Sequence, residues 1–397
     1  MARDLRSFAR LAQDLRSTDD LAWRLAMDNS AVLSAPGKAW LARPFPAQAR
    51  LRILLAYQAS TLAAPQFYPF LRYGARFAAR GIHFRAMPTE GLDPTKLPSK
   101  LDALFYQSDY RLAEGVLEES LARIKAARPD LRISYFDWFA PADIRFAARV
   151  EPWVDAYVKK CLFSDRARHI EPTQGHTNLN DYFTARYDVE NPPRDWEVPE
   201  AIIPRLDLSP AFSTAPELIR LFEGDPPPER ARDIDIHARI ASKGSPWYQH
   251  MREEAKAALV KNFADLRVID SGRVSHAEFM DELHRARLCF SPFGYGEICW
   301  RDFEAIATGS VLVKPDMSHI AAEPDIYRPG ETYIPVAWDL SDLNEKVRGL
   351  LADPARCHRI AEQAFAVVRD HLRGPALEQL AERLAAGRVD GDASPRA

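Results

Sequence analysis

The chain has 397 residues, of which 47% are hydrophobic and 27% charged. That length exceeds what one core usually serves, so two domains are expected of an otherwise ordinary globular composition. A formal net charge of −3 argues against a general nucleic-acid binder, which needs a basic surplus to displace counterions.

Four cysteines, Cys161, Cys289, Cys299 and Cys357, form no C-x-x-C pair, and two of them lie inside apolar runs. They read as buried free thiols of a reducing compartment. No window approaches 18 uninterrupted apolar residues, and the first twenty residues lack an apolar core of signal-peptide length. A cytoplasmic protein without a spanning segment is therefore expected.

Residues 2–27 place Leu, Phe and Ala among Arg and Asp at helical spacing. This predicts one or two amphipathic helices within an N-terminal extension over residues 1–46. The interleaved acidic residues favour docking on the main fold; the alternative is peripheral contact at the inner face of a membrane.

The run from Arg50 to Tyr57 is the first strong strand. A helix is expected near Gln66 to Arg80, a strand at Ile82 to Ala86 and another at Leu101 to Tyr106. Then follow a helix at Glu114 to Ala127, a strand at Leu131 to Phe136 and a mixed run from Val154 to Phe163. Such alternation means a doubly wound parallel sheet, a Rossmann-like domain over residues 47–200. The first strand is followed by QASTLAAPQF, not by G-x-G-x-x-G, so a nicotinamide or flavin cofactor is disfavoured and no cofactor is proposed. Strand ends of a parallel sheet nominate Gln58, Ser60, Ser108, Asp109, Asp137, Asp165 and His169 as ligand groups. For Asp137 and Asp165 taken singly, a role as turn former or helix cap is favoured.

Residues 171–182 are polar and loop-like and contain His176. Nine prolines between residues 191 and 232 fit an interdomain connection crossing a surface. Asp233 to Ala238 opens a second alternating series over residues 201–375, before a C-terminal helix and disordered tail at residues 376–397. Asp233-Ile-Asp235 has the form of a D-x-D metal motif, but it starts a strand instead of leaving one, and no metal is proposed.

Within the second series, Ala286 to Asp316 reads as strand, glycine loop, helix, strand. A helix from Gly296 to Thr308, closed by Gly309, would place Glu297, Arg301, Glu304 and Thr308 in one stripe of an otherwise apolar surface. The stripe either faces a cleft or forms an ion-pair set from Glu297 to Arg301 to Glu304. Gly294 and Gly296 feed the helix start, where free N–H groups and the helix dipole suit a phosphate. Tyr295 and Trp300 stand beside this helix start, where an aromatic is more often core than a ligand contact.

Glu297, six intervening residues, Glu304-Ala-Ile, Gly309 and a strand ending in Lys314-Pro-Asp316 resemble the donor-binding segment of GT-B glycosyltransferases, of the group 1 and exostosin-like kinds. The retaining group has two glutamates separated by seven residues; here the gap is six, so Glu304 is the one that carries over. Arg301, three residues ahead of it, is closer to the exostosin-like pattern.

The resemblance implies two Rossmann-like doubly wound parallel-sheet domains facing a cleft, with a nucleotide-sugar donor on the second. It further implies a glycan or lipid-linked glycan acceptor on the first, metal-independent transfer, and work on surface polysaccharide or lipopolysaccharide. Arg239 and Lys243 stand where such enzymes hold the donor diphosphate, and Glu304 would hydrogen-bond the ribose hydroxyls. An inverting reaction would need a general base, for which Asp109 or His176 is the first choice. The alternatives are a nucleotide-sugar epimerase of similar fold and a non-catalytic sugar-nucleotide binding or scaffold protein.

Overall fold

Apolar runs of two to seven residues, too short for helices and bounded by turn residues, become strands, most of them buried. Seven lie in the first half of the computed structural model: β1 (Leu51–Tyr57), β2 (Ile82–Pro88), β3 (Ala103–Tyr106), β4 (Arg132–Asp137), β5 (Ala156–Lys159), β6 (Cys161–Phe163) and β7 (Leu206–Leu208). Six follow: β8 (Ile234–His237), β9 (Val268–Ile269), β10 (Ala286–Phe290), β11 (Val311–Pro315), β12 (Ile320–Ala322) and β13 (Ile334–Val336). The structure describes residues 18–27, 38–172, 178–190, 196–228 and 230–386.

The first sheet has the order β2-β1-β3-β4-β5-β7 and the second β13-β11-β10-β8-β9, each parallel throughout. Counted within its own domain, each begins second, first, third, fourth, fifth. Both sheets therefore reverse direction of growth between their first and third strands, leaving a crevice at the carboxyl ends there. Ile53, Leu54, Leu55 and Ala56 of β1 are all buried, as helices on both faces of a parallel sheet require.

Two further links join the domains. Strand β12 of the second pairs antiparallel with β6 of the first, Ile320 opposite Phe163 and Ala322 opposite Cys161. The helix Ala376–Ala386 returns to the first domain, where Glu378 pairs with Arg76 at 2.8 Å and Arg383 with Asp207 at 2.8 Å. One apolar core runs through the junction, taking in Ile53 and Phe105 on one side and Phe303 and Leu312 on the other.

The expected limit at residue 200 is corrected by β7, the sixth strand of the first sheet. Pro204 and Pro210 flank it, and as an edge strand it tolerates them because no neighbour needs the missing N–H groups. The proline-rich stretch is thus part sheet, part connection. Of the expected N-terminal helices, Thr18–Met27 is described and docks on the first domain. Its buried Asp20 receives the Tyr68 hydroxyl and Arg72, and Trp23 meets Tyr57 edge-on at 4.8 Å. Residues 1–17 and the expected tail after residue 386 lie outside the described residues.

Candidate active site

Strand β10 ends at Phe290, and the helix expected from Gly296 begins only at Trp300, running to Thr308. Asp302 decides this start. Its carboxylate folds back to accept the Cys299 N–H at 3.0 Å, capping the first turn. The same carboxylate accepts Ser291 Oγ at 2.6 Å and the Tyr327 hydroxyl at 2.7 Å, and pairs with Lys314 at 3.2 Å. Gly309, at φ +75°, closes the helix in the left-handed conformation that suits glycine, as expected.

The late start corrects two expectations. The N–H groups of Gly294 to Glu297 are not a helix terminus: Gly294 donates to the Gly296 carbonyl at 3.1 Å, so the expected phosphate cradle is not built there. Gly296 instead lies against the first domain so tightly that a Cβ would enter the Ala140 carbonyl.

Glu297 also leaves the stripe. Its carboxylate crosses to the Ala142 N–H at 2.9 Å, and its other oxygen has no partner. The ion-pair set with Arg301 and Glu304 does not form. Fully buried, the Glu297 carboxyl is pushed up to about 7 by loss of water.

A raised carboxyl pKa stabilises the folded state most fully below the unfolded value of 4.5, and the contribution is lost as pH rises through about 7. Thermal melts should therefore fall between pH 5 and 8 by up to about 3 kcal/mol in wild type. Glu297→Gln should flatten that slope; an unchanged slope assigns the loss to other groups.

Arg301 and Glu304 remain on one helix, Arg301 half-buried and Glu304 buried. Glu304, its side chain 10% exposed, accepts from or donates to His276 Nε2 at 3.2 Å, and burial raises its carboxyl above the ordinary range. Arg301 donates to the Arg239 carbonyl, while its buried Nε has no partner.

Arg239 was expected as a phosphate ligand, but its guanidinium is occupied. Glu282 takes two of its N–H groups at 2.6 Å each, and the Ser271 and Gly272 carbonyls take a third. Its contribution to the site is the backbone carbonyl that orients Arg301. Lys243 is exposed and has no ion-pair partner among the described residues.

Arg252 was not anticipated. It is buried on the helix Pro246–Asn262, donates to the Phe293 carbonyl at 2.7 Å and lies over the Tyr248 ring at 5.0 Å. Its Nε is unpartnered, and burial, followed by the nearby charge of Arg301, pulls its pKa down. Two guanidiniums without carboxylates thus adjoin one another where β8 and β10 end. The available signal was an arginine beside the apolar row Trp247, Met251, Ala255, Leu259.

Between the domains lies a cleft of about 800 Å³. Tyr110, Trp138 and Lys160 reach it from the first domain, and Trp247, Tyr248, Tyr295 and Trp300 from the second. Tyr248 stacks on Tyr295 at 4.4 Å, and Phe212 on Trp300 at 4.8 Å. Tyr295 and Trp300 are on a cleft wall.

The first domain's strand-end candidates divide. Asp109 is held by Arg111, at 2.8 and 3.1 Å, and that hydrogen bonding keeps its carboxyl below the usual range, which makes it a weak proton acceptor. His176 lies outside the described residues. Asp137 is buried with Lys159 at 2.6 Å and Tyr157 at 2.6 Å, Asp165 caps a short helix, and His169 accepts the Phe163 N–H. These three are structural, as is Ser108, bonded to the Tyr135 hydroxyl at 2.8 Å. Asp233 is taken by Arg285 at 2.6 Å and by Arg267, and Asp235 by Arg287 at 3.3 Å. The D-x-D spacing is thereby an ion-pair cluster at the amino end of the second sheet.

Residues 229–382 match the family model described as glycosyl transferase-like. Over these residues the second domain is similar to that family. With the Rossmann-like first domain across the cleft, the architecture is that of the GT-B fold.

Solved structures similar to the chain include an alpha-glucosyltransferase (AGT) in complex with UDP, at 10% identity and a TM-score of 0.46, covering 84% of this chain and 99% of that one. HepE from Anabaena in complex with UDP-glucose is similar at 10% identity and a TM-score of 0.41, covering 85% and 100%. TarM is similar at 8% identity and a TM-score of 0.41, over 71% of this chain. The chain spans only 54% of TarM's length. Among curated proteins the sequence has no match. No helix among the described residues is long and apolar enough to cross a membrane.

Proposed function

We propose that the chain is a glycosyltransferase that moves a sugar from a nucleotide-sugar donor to a glycan acceptor, in the assembly of surface polysaccharide or lipopolysaccharide. The observation that carries this reading is the glycosyl transferase-like match over residues 229–382, which contains Glu304 and the uncompensated cations. When the glycosidic bond to a nucleoside diphosphate breaks, negative charge grows on the departing phosphate. Fixed cations in a site shielded from water stabilise that charge without reorganising. Arg301 and Arg252 are such cations, with Lys243 at the rim. Glu304 keeps one oxygen free of protein partners for a sugar hydroxyl, and a carboxylate accepts such bonds well. The acceptor enters from the first domain's side of the aromatic cleft.

Calorimetry on wild type, Arg301→Ala and Lys243→Ala tests the diphosphate site. Each variant should weaken a nucleoside diphosphate by about tenfold or more while leaving the bare nucleoside unchanged, since a charge-assisted bond contributes ~1.5–3 kcal/mol. Equal losses for both ligands would remove these residues from the site. Transfer to a glycan should persist with a chelator present; isomerisation of the donor without any acceptor would replace transferase by epimerase.

A further inference from the structure

Lys159 closes β5, and Lys160 follows it in the bend before β6. Lys159 is neutralised by Asp137 at 2.6 Å. Lys160 is 4% exposed, and among the described residues its ammonium finds the Trp138 carbonyl, at 3.3 Å, and the face of Phe212, at 4.8 Å. The titratable groups around it are Cys161, Lys159, Asp137 and Cys299. The one carboxylate among them is already paired with Lys159.

An ammonium carries three donors, and a desolvated cation without an anion is costly. What Lys160 borders instead is the cleft, whose walls are the rings of Trp138, Tyr110, Phe212 and Trp300. Aromatic faces suit the apolar C–H face of a sugar, and a few placed polar groups then fix orientation.

We propose that Lys160 receives an anionic group, a carboxylate or a phosphate, carried by the acceptor sugar that lies against these rings. The assignment rests on the glycosyl-transfer reading and narrows it to acidic or phosphorylated glycans. It also explains why the cation is kept at a place where it has no ion-pair partner among the described residues. Burial pulls its pKa down to about 8, so it is charged at neutral pH and loses that charge just above.

The test uses two matched pairs of probes: p-nitrophenyl glucuronide against p-nitrophenyl glucoside, and glucose 6-phosphate against glucose. Binding is followed by saturation-transfer NMR on the full chain at pH 7. Wild type should prefer at least one anion over its neutral parent by about tenfold, and the pair that shows it distinguishes carboxylate from phosphate. Lys160→Gln, which retains a donor for the Trp138 carbonyl, should abolish the preference. In wild type the preference should also collapse between pH 7 and pH 9.5, where neither anion changes charge in that direction; this arm needs no variant to fold.

Equal binding of anionic and neutral probes by wild type, or a preference that Lys160→Gln leaves intact, overturns the proposal. Nucleoside diphosphate affinity should be the same in Lys160→Gln as in wild type. A parallel loss there would assign the ammonium to the donor, sinking the acceptor role while leaving glycosyl transfer standing. Conversely, anion preference in a protein that transfers no sugar from any donor would sink the glycosyl-transfer reading and the acceptor role resting on it, leaving only an anion subsite.

Discussion

Glu304→Ala is expected to lower kcat/KM for a nucleotide sugar by about a hundredfold while leaving the thermal midpoint within a few degrees of wild type. The carboxylate is largely buried, which raises its pKa, so its removal relieves a burial penalty and, among the described residues, deletes one side-chain hydrogen bond, with His276. The fold therefore has little to lose. The donor has more, because a carboxylate that accepts two hydroxyls contributes two charge-assisted bonds, each worth ~1.5–3 kcal/mol when the partner is left unsatisfied. Glu304→Gln should fall between wild type and alanine, since the amide retains shape and one acceptor. Steady-state kinetics paired with calorimetric melting separates the outcomes: a variant that melts early yet keeps donor affinity makes Glu304 a structural partner of His276.

Asp302→Ala carries the largest expected effect on stability, a loss of about 3–5 kcal/mol. Four groups converge on this fully buried carboxylate: Ser291, Cys299, Tyr327 and Lys314. Without it, the Lys314 ammonium keeps the Ser291 carbonyl at 3.5 Å, the Cys299 sulfur at 3.8 Å and the Phe293 ring at 5.2 Å, none of them an anion. The helix Trp300–Thr308 also loses its N-terminal cap, worth a further ~1 kcal/mol. The double variant Asp302→Leu with Lys314→Met should recover much of the loss, because a buried pair replaced by apolar side chains leaves no charge behind. Urea denaturation of all three proteins measures this. A cost under about 1 kcal/mol for Asp302→Ala would show that water reaches the pocket.

Asp302 also explains where sequence reasoning stopped. Strands stood out as apolar runs and helices by their period, so both sheets and their parallel winding could be anticipated. The helix start could not, because cysteine is an unusual cap and the decisive bond comes from Asp302, three residues inside. A wheel begun at Gly296 put Glu297 beside Arg301, although it lies in the loop and reaches Ala142 in the other domain. Arg239 looked free for a phosphate because Glu282, its partner, is 43 residues away. Such pairings follow from how helices dock on the sheet, and local pattern does not encode them. The proximity of Glu304 and Arg301 was legible because one helix holds both.

The strand pair β6 and β12 and the returning helix Ala376–Ala386 bear on how such a protein can be recombined. A chimera cut at the proline seam near residue 228 would import a foreign β12 and a foreign terminal helix. The first domain would then present the open edge of β6, a template for pairing with another chain. Arg50, Arg76 and Asp207 would lose the partners that Glu382, Glu378 and Arg383 supply. The second domain is thus no interchangeable cassette: a viable exchange must leave the last helix with the first domain and match the short ladder residue for residue.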